Sequence, residues 1–234
     1  LASVIDPLVV SDLPTVIWSP HGHPEAVDAL LHLAQVVLLD SVNEPLLQDA
    51  LDRAHELCER VYVVDLAWLR STPWRERVAA TFDPPAARPQ LRQLSALTIR
   101  HHPESTVAGL LLTGWMASRL GWRASQLVGT GKGLSGHLRA ARGEVVVTLE
   151  PTSLQVPGLA GLSVETAAGA CISLDRGPGG LRAVRRTPDG RERRWTVLGA
   201  SRGEAGILGE GIRQALLRDP TYKPALEVAC AMCP

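Results

Sequence analysis

Val61-Tyr62-Val63-Val64-Asp65-Leu66-Ala67-Trp68-Leu69-Arg70-Ser71-Thr72-Pro73-Trp74-Arg75 is the stretch on which the fold turns. Residues 61–67 are apolar on both alternating faces apart from Tyr62 and Asp65, which predicts a strand buried on both sides. Strands of that kind belong to parallel sheets with helices on each face. Thr72 and Pro73 then supply a cap and a first-turn proline, and Val78, Ala79 and Phe82 follow as the inward side of a helix. A strand thus feeds through a short loop into a helix, half of a right-handed crossover.

The same alternation extends in both directions. Upstream, Thr15-Val16-Ile17-Trp18 follows Asp12-Leu13-Pro14 and reads as a short buried strand. Pro24 opens a helix with Val27, Leu30, Leu31 and Ala34 at helical spacing, and residues 36–39 form the next strand. Ser41, Asn43 and Glu44 offer capping chemistry to a helix striped by Leu47, Ala50, Leu51, Ala54 and Leu57. Downstream, a link with Pro84, Pro85 and Pro89 leads to a fourth strand at residues 96–100 and a helix over 106–120. The expectation is an α/β protein with an open, mostly parallel sheet and flanking helices.

The period then changes. Gly129-Thr130-Gly131-Lys132-Gly133 reads as a flexible linker, and short alternating strands follow at 144–150, 162–166, 170–175, 181–186 and 194–198. Pro178-Gly179-Gly180 and Asp189-Gly190 are turn signals between them, which predicts an antiparallel β meander. A helix over 204–217 is expected to lie on that meander, with another turn from Tyr222. The domain expectation is an α/β sheet domain at 1–122, a Gly-rich linker at 123–136, and an antiparallel β plus C-terminal helix (α+β) domain at 137–234.

Composition narrows the function classes. The 234 residues carry 24 basic and 24 acidic side chains, which argues against a dedicated nucleic-acid or membrane surface. Residues 1–120 hold 9 basic and 14 acidic side chains and 121–234 hold 15 and 10, so the halves present different surfaces. No apolar run is long enough to span a bilayer and no signal segment opens the chain, which begins at Leu1 as though an upstream portion were missing. Cys58, Cys171, Cys230 and Cys233 fit a reducing cytoplasm better than a secreted disulfide framework.

Most candidate chemistry fails on spacing. Gly129–Gly133 lacks both the earlier glycine and the Ser or Thr of a phosphate loop, and Ser135 lacks the strand-to-helix elbow of a nucleophile. The glycines between 199 and 211 do not follow a dinucleotide-binding order. The arginines at 182, 185, 186, 191, 193 and 194 flank the Asp189-Gly190 hairpin with only Trp195 among them, which predicts a solvated face and no nucleic-acid platform. His21 and His23 fall at the carboxyl end of the first strand, where open α/β sheets place ligands, without further residues to complete a site. Cys230 and Cys233 form a terminal C-x-x-C, a possible redox pair that lacks the further ligands of a metal site. No catalytic group, metal site or cofactor is expected.

The candidate site is the strand-to-helix junction itself: Trp68, Arg70, Thr72, Trp74 and Arg75. Three readings fit it. The arginines and helix start can hold an anion such as a sugar phosphate. The tryptophans can anchor a protein partner. Or Asp65 pairs an arginine internally while the rings cover the sheet end.

Ser11-Asp12-Leu13-Pro14-Thr15-Val16-Ile17-Trp18, then Asp65-Leu66-Ala67-Trp68 through Thr72-Pro73-Trp74-Arg75, then Gly114-Trp115-Met116-Ala117-Ser118-Arg119-Leu120-Gly121-Trp122, together resemble the OpcA family of glucose-6-phosphate dehydrogenase assembly proteins. The resemblance implies a non-catalytic, cytoplasmic allosteric activator. It would bind glucose-6-phosphate dehydrogenase and promote its active oligomer at the entry to the oxidative pentose phosphate pathway. It also implies a further region ahead of the Asp-Leu-Pro strand. The alternative from another class is a sugar-phosphate-binding enzyme or sensor using the carboxyl edge of the sheet.

Overall fold

The computed structural model describes Ile5, Val9 and residues 13–20, 23–198 and 203–234. Ser11, Asp12 and His21, singled out above, lie outside the described residues. Strands β1 (Val16–Ser19), β2 (Val36–Leu39) and β3 (Tyr62–Asp65) form an all-parallel sheet in the order β1-β2-β3. Helices α1 (Pro24–Leu30) and α2 (Leu47–Cys58) are the crossovers. Val37 faces Ala50, Ala54 and Leu57 on one side of the sheet, so the uniformly apolar β2 is covered as its sequence requires.

β3 ends earlier than expected. Leu66 and Ala67 begin a short helix, α3 (Leu66–Arg70), because the Asp65 carboxylate accepts the Ala67 N–H and caps it. Helix α4 (Thr72–Phe82) follows directly, with Trp74, Val78 and Phe82 buried.

The fourth strand, β4 (Leu94–His101), leaves the first sheet altogether. It lies inside an eight-stranded sheet with β5 (Val128–Thr130), β6 (Gly133–Ala140), β7 (Gly143–Pro151), β8 (Leu159–Thr166), β9 (Cys171–Gly177), β10 (Gly180–Arg186) and β11 (Glu192–Leu198). The order is β11-β10-β9-β8-β4-β7-β6-β5, with β4 parallel to β7 and antiparallel to β8. The reason is length: β4 has 8 residues, matching the 9 of β7 and 8 of β8, whereas β1 to β3 have 4 each. Between β7 and β8 the backbone of β4 is paired on both edges along most of its length.

Two further expectations are corrected. The Gly-rich stretch is not a loose linker: Val128, Gly129 and Thr130 pair with Ser135, Leu134 and Gly133 in a tight hairpin. Gly133 has φ of +124°, and a Cβ there would stand 2.0 Å from the Leu149 carbonyl oxygen, so the close turn accounts for the glycine. The helix expected to cover the meander, α6 (Gly203–Leu217), instead packs on β2, β3 and α3, with Gly211 against Leu38, Leu66 and Leu69.

The meander sheet is covered on one face by α5 (Thr106–Leu120), whose Leu110, Leu111 and Leu112 are fully buried against strands that include β4 and β7. The last helix, α7 (Tyr222–Met232), runs three turns rather than one and packs between α2 and α5. A Cβ on Gly114 of α5 would meet the Ala225 carbonyl oxygen at 2.1 Å, so these two helices touch backbone to backbone. Among the described residues no helix is long and apolar enough to cross a membrane.

Candidate functional site

Open α/β sheets bind ligands beyond the carboxyl ends of their strands. In this chain those ends carry Ser19, Asp40 and Asp65, and the two acids are held by groups from distant parts of the sequence. Asp40 accepts a forked pair of hydrogen bonds from Arg70, at 2.9 and 2.7 Å. The same guanidinium reaches Glu204 on α6 at 3.1 and 2.7 Å. Arg70 is held charged: burial, which opposes the charge, is outweighed by the hydrogen bonds to Asp40 and Glu204. That geometry is the bidentate one which makes Arg–carboxylate pairs strong.

Asp65 is 1% exposed and fully committed. It accepts the Ser41 N–H at 3.2 Å, the Ser41 hydroxyl at 2.7 Å, the Ala67 N–H at 2.9 Å and the Tyr222 hydroxyl of α7 at 3.0 Å. Burial, and then the neighbouring Asp40 charge, push its carboxyl up to about 6 despite those donors.

The third acid, Asp219, sits in the loop between α6 and α7. It accepts the Trp68 indole N–H at 2.9 Å and the Thr221 N–H and hydroxyl at 2.8 and 2.6 Å. Its carboxyl is lowered: burial acts against this, but the donors from Thr221 and Trp68 and the Arg75 charge prevail. Arg75 stacks 3.6 Å above the Trp68 ring and lies 3.6 Å from Asp219. It donates to the Ser71 hydroxyl at 3.1 Å and the Thr72 hydroxyl at 2.9 Å. Burial pulls Arg75 down to about 10, which leaves it charged at neutral pH.

Of the five sequence-selected residues, Trp68 and Trp74 are buried and Arg70, Thr72 and Arg75 are half-buried. Trp68 and Trp74 are 2% and 3% exposed, so the expectation of outward-facing aromatic anchors is corrected. The indole ring of Trp68 is worth more against Arg75 and Tyr222, whose ring lies 5.6 Å away, than in water. Arg70 and Arg75 already have carboxylate partners, so neither stands as a vacant anion receptor. Of the three readings left open by the sequence, internal closure of the sheet end is the nearest to the contacts, corrected in one respect: the arginines pair with Asp40, Glu204 and Asp219, while Asp65 is held by Ser41, Ala67 and Tyr222.

The remaining space at the sheet end is a cleft between β1, β2, α1 and α2, lined by Ser19, Asp40, Ser41, Glu44 and Arg53 among others. It holds about 40 Å³, a few water molecules, whereas small-molecule sites occupy roughly 300–1,000 Å³. Among the described residues, no group of three or more His, Cys, Asp or Glu side chains is placed to hold a metal ion. His23 is exposed at the start of α1, apart from this network.

Cys230 and Cys233 close α7, both free, Cys233 buried and Cys230 partly so. Burial and the nearby Asp52 push Cys230 up to about 11 and raise Cys233 as well. Exchange needs the thiolate, which both environments disfavour at neutral pH.

Sequence inspection missed Asp40, Glu204, Asp219 and Tyr222. Asp219-Pro220-Thr221 carried a usable signal, since an Asp two residues before Thr at a helix start is a turn that hydrogen-bonds its own backbone. Nothing local marks Glu204 or Tyr222 as partners of residues 134 and 157 positions away.

With this geometry in hand, the fold can be compared with known structures. A dehydrogenase (MviM) from Clostridium difficile superposes over 92% of this chain and 75% of its own at TM-score 0.59 and 10% identity. The super-repressor mutant of Gal80p from Saccharomyces cerevisiae does so over 97% and 82% at TM-score 0.55 and 11% identity. GenD2 from gentamicin A biosynthesis, solved in complex with NAD, matches at TM-score 0.54 over 93% and 74% with 13% identity. The class is thus the α/β fold shared by these structures, in a chain whose strand ends are occupied by its own side chains. The same fold serves a cofactor-bound enzyme and a repressor, so it does not assign an activity.

The chain belongs to the family described as the C-terminal domain of the glucose-6-phosphate dehydrogenase subunit, whose model matches residues 61–226, from the start of β3 into α7. The OxPP cycle protein OpcA of Synechocystis sp. is 32% identical over 127 residues, covering 52% of this chain and 26% of that protein. The OpcA protein of Nostoc punctiforme is likewise 32% identical over 127 residues, covering 53% and 27%. The chain spans about a quarter of the length of the curated relatives it matches.

Proposed function

We propose that this chain is a non-catalytic domain that binds glucose-6-phosphate dehydrogenase and favours its active oligomer, in support of the oxidative pentose phosphate pathway. The observation that carries the proposal is the closed sheet end. Arg70 (which also holds Asp40), Asp65, Trp68 and Arg75, which stand where such folds admit a ligand, are tied to Glu204, Tyr222 and Asp219 from the C-terminal segment. The family description and the naming of its relatives for the OxPP cycle support the choice of partner. A binder of this kind shifts the dehydrogenase only through higher affinity for the active assembly.

The test is to mix purified chain and dehydrogenase and follow reaction rate and sedimenting mass together. Association with a rise in both is the expected result. Unchanged rate and mass at saturating chain refute the proposal. A sugar-phosphate enzyme or sensor instead predicts turnover or saturable binding of glucose 6-phosphate by the chain alone.

A further inference from the structure

β1 is the outermost strand of the small sheet, and among the described residues no strand pairs with its outer edge. Thr15, just before it, turns both backbone groups toward β2: its carbonyl accepts from Gln35 N–H at 3.0 Å and its N–H donates to the Gln35 side chain at 2.5 Å. Alternation along the strand then directs the N–H and C=O of Val16 and Trp18 to the free edge. Pro14 and Pro20 bracket the strand, so no longer pairing is available.

The side chains of Val16 and Trp18 lie on the α6 side of the sheet. Val16 is in register with Val36 and Trp18 with Leu38, and Leu38 is the residue against which Gly211 of α6 sits. Yet Val16 remains 39% and Trp18 52% exposed. One flank of α6 explains what borders them. Gln214 faces Tyr62, Trp68 and Asp219 beyond β3. At 100° per residue, Leu208, Ile212 and Leu216 occupy the opposite flank, on the β1 side. Ile212 is 56% and Leu216 74% exposed. The flank, Ala205, Leu208, Gly209, Ile212 and Leu216, has no charged side chain.

We infer that a second copy of this chain occupies this face, with β1 pairing antiparallel to its counterpart about a two-fold axis through Ile17. That axis sets Val16 opposite the partner's Trp18, and Trp18 opposite the partner's Val16, in two hydrogen-bonded pairs. The backbone groups already aimed at the free edge are the four that these pairs use. An aromatic ring meets a β-branched side chain in each pair, a favourable cross-strand combination. The two sheets become one six-stranded sheet, and the apolar flanks of both α6 helices close over the paired strands.

The area is sufficient. With the usual size of such side chains, the exposed fractions leave on the order of 500 Å² of apolar surface per copy. A dimer then buries about 1,000 Å² or more, the threshold for a specific interface. The patch is self-complementary, as an isologous contact must be, and uncharged, so like charges do not oppose it. Zero formal net charge on the whole chain adds no long-range repulsion.

Sedimentation equilibrium over a wide concentration range tests this directly. The expected mass rises from 25.1 kDa to twice that value as concentration increases. Trp18→Lys and Ile212→Asp, both at exposed positions, should each raise the dissociation constant by ~30-fold or more with unchanged circular dichroism. Leu46→Asp, exposed before α2 on the other side of the sheet, should leave the dimer intact. A wild-type chain that stays at 25.1 kDa throughout overturns the proposal, as does a dimer that survives both patch substitutions. A monomeric wild type whose dehydrogenase binding is lost in Trp18→Lys overturns it too, by giving this face to the dehydrogenase. The dimer stands or falls independently of the activator role.

Discussion

The two sheets of this protein are held in different ways. The eight-stranded sheet is a ladder: from β8 to β11 each strand pairs with the next in sequence, and its covered face is aliphatic. Its other face carries a polar row, Ser135, Thr148, Thr98, Ser163 and Ser173, across five neighbouring strands. The three-stranded sheet has only four residues per strand, and it is completed by side chains 134 to 157 positions further along the chain. Ladder hydrogen bonds suffice where strands are long. Where they are short, charge pairs and buried polar contacts brace the sheet end, and in doing so they fill the place a ligand takes in other α/β proteins.

Substitutions can break this contrast or sharpen it. Trp68→Ala should be the most damaging, at about 3–5 kcal/mol in chemical denaturation, because it leaves a cavity and strips Asp219 and Arg75 of a shared partner. Trp68→Phe should recover most of the loss.

Asp65→Asn should act mainly through pH. The Asp65 carboxyl binds its proton more tightly in the folded chain, at about 6, than at its ordinary value of 3.8. The stability it contributes is therefore complete below pH 3.8 and lost as pH rises through 6, roughly 3 kcal/mol in all. The asparagine variant should gain on the wild type by that order between mild acid and neutrality, read from urea midpoints at several pH values. A constant offset would contradict the burial of Asp65.

Gly114→Ala should cost about 1–3 kcal/mol by forcing α5 and α7 apart, since its methyl collides with the Ala225 carbonyl. Ser163→Ala, on the polar row of the large sheet, should change stability by about 0.5 kcal/mol or less, because among the described residues its hydroxyl meets only Ser173, at 3.0 Å. An effect as large as that of Trp68→Ala would mean that this face is not the lightly held side of the molecule.

These differences also explain what the sequence made legible. Apolar runs at 36–39 and around Val63 and Val64, and the turn dipeptides of the meander, are local signals, and they mark the strands other than β5 and β6, which fall in and beside the stretch expected to be a linker. Partner choice is not local. The fourth strand was visible as a strand but not as a member of the larger sheet, since its pairing depends on the lengths of β7 and β8. Asp65 reads as the interior of a strand over 61–67 until its capping of Ala67 is seen. The concentration of Trp and Arg around Trp68 is plain in the sequence, while its burial depends on Glu204, Asp219 and Tyr222, which no spacing rule connects to it.

The closed sheet end is the claim on which the activator role depends. Calorimetric titration of the chain alone with a nicotinamide dinucleotide and with glucose 6-phosphate, with Trp fluorescence followed in parallel, tests it most directly. The prediction is no saturable heat and no change in emission with either compound. Saturable binding at micromolar concentration, accompanied by quenching that disappears in Trp68→Phe, would show that the sheet end opens to a metabolite and would contradict the account.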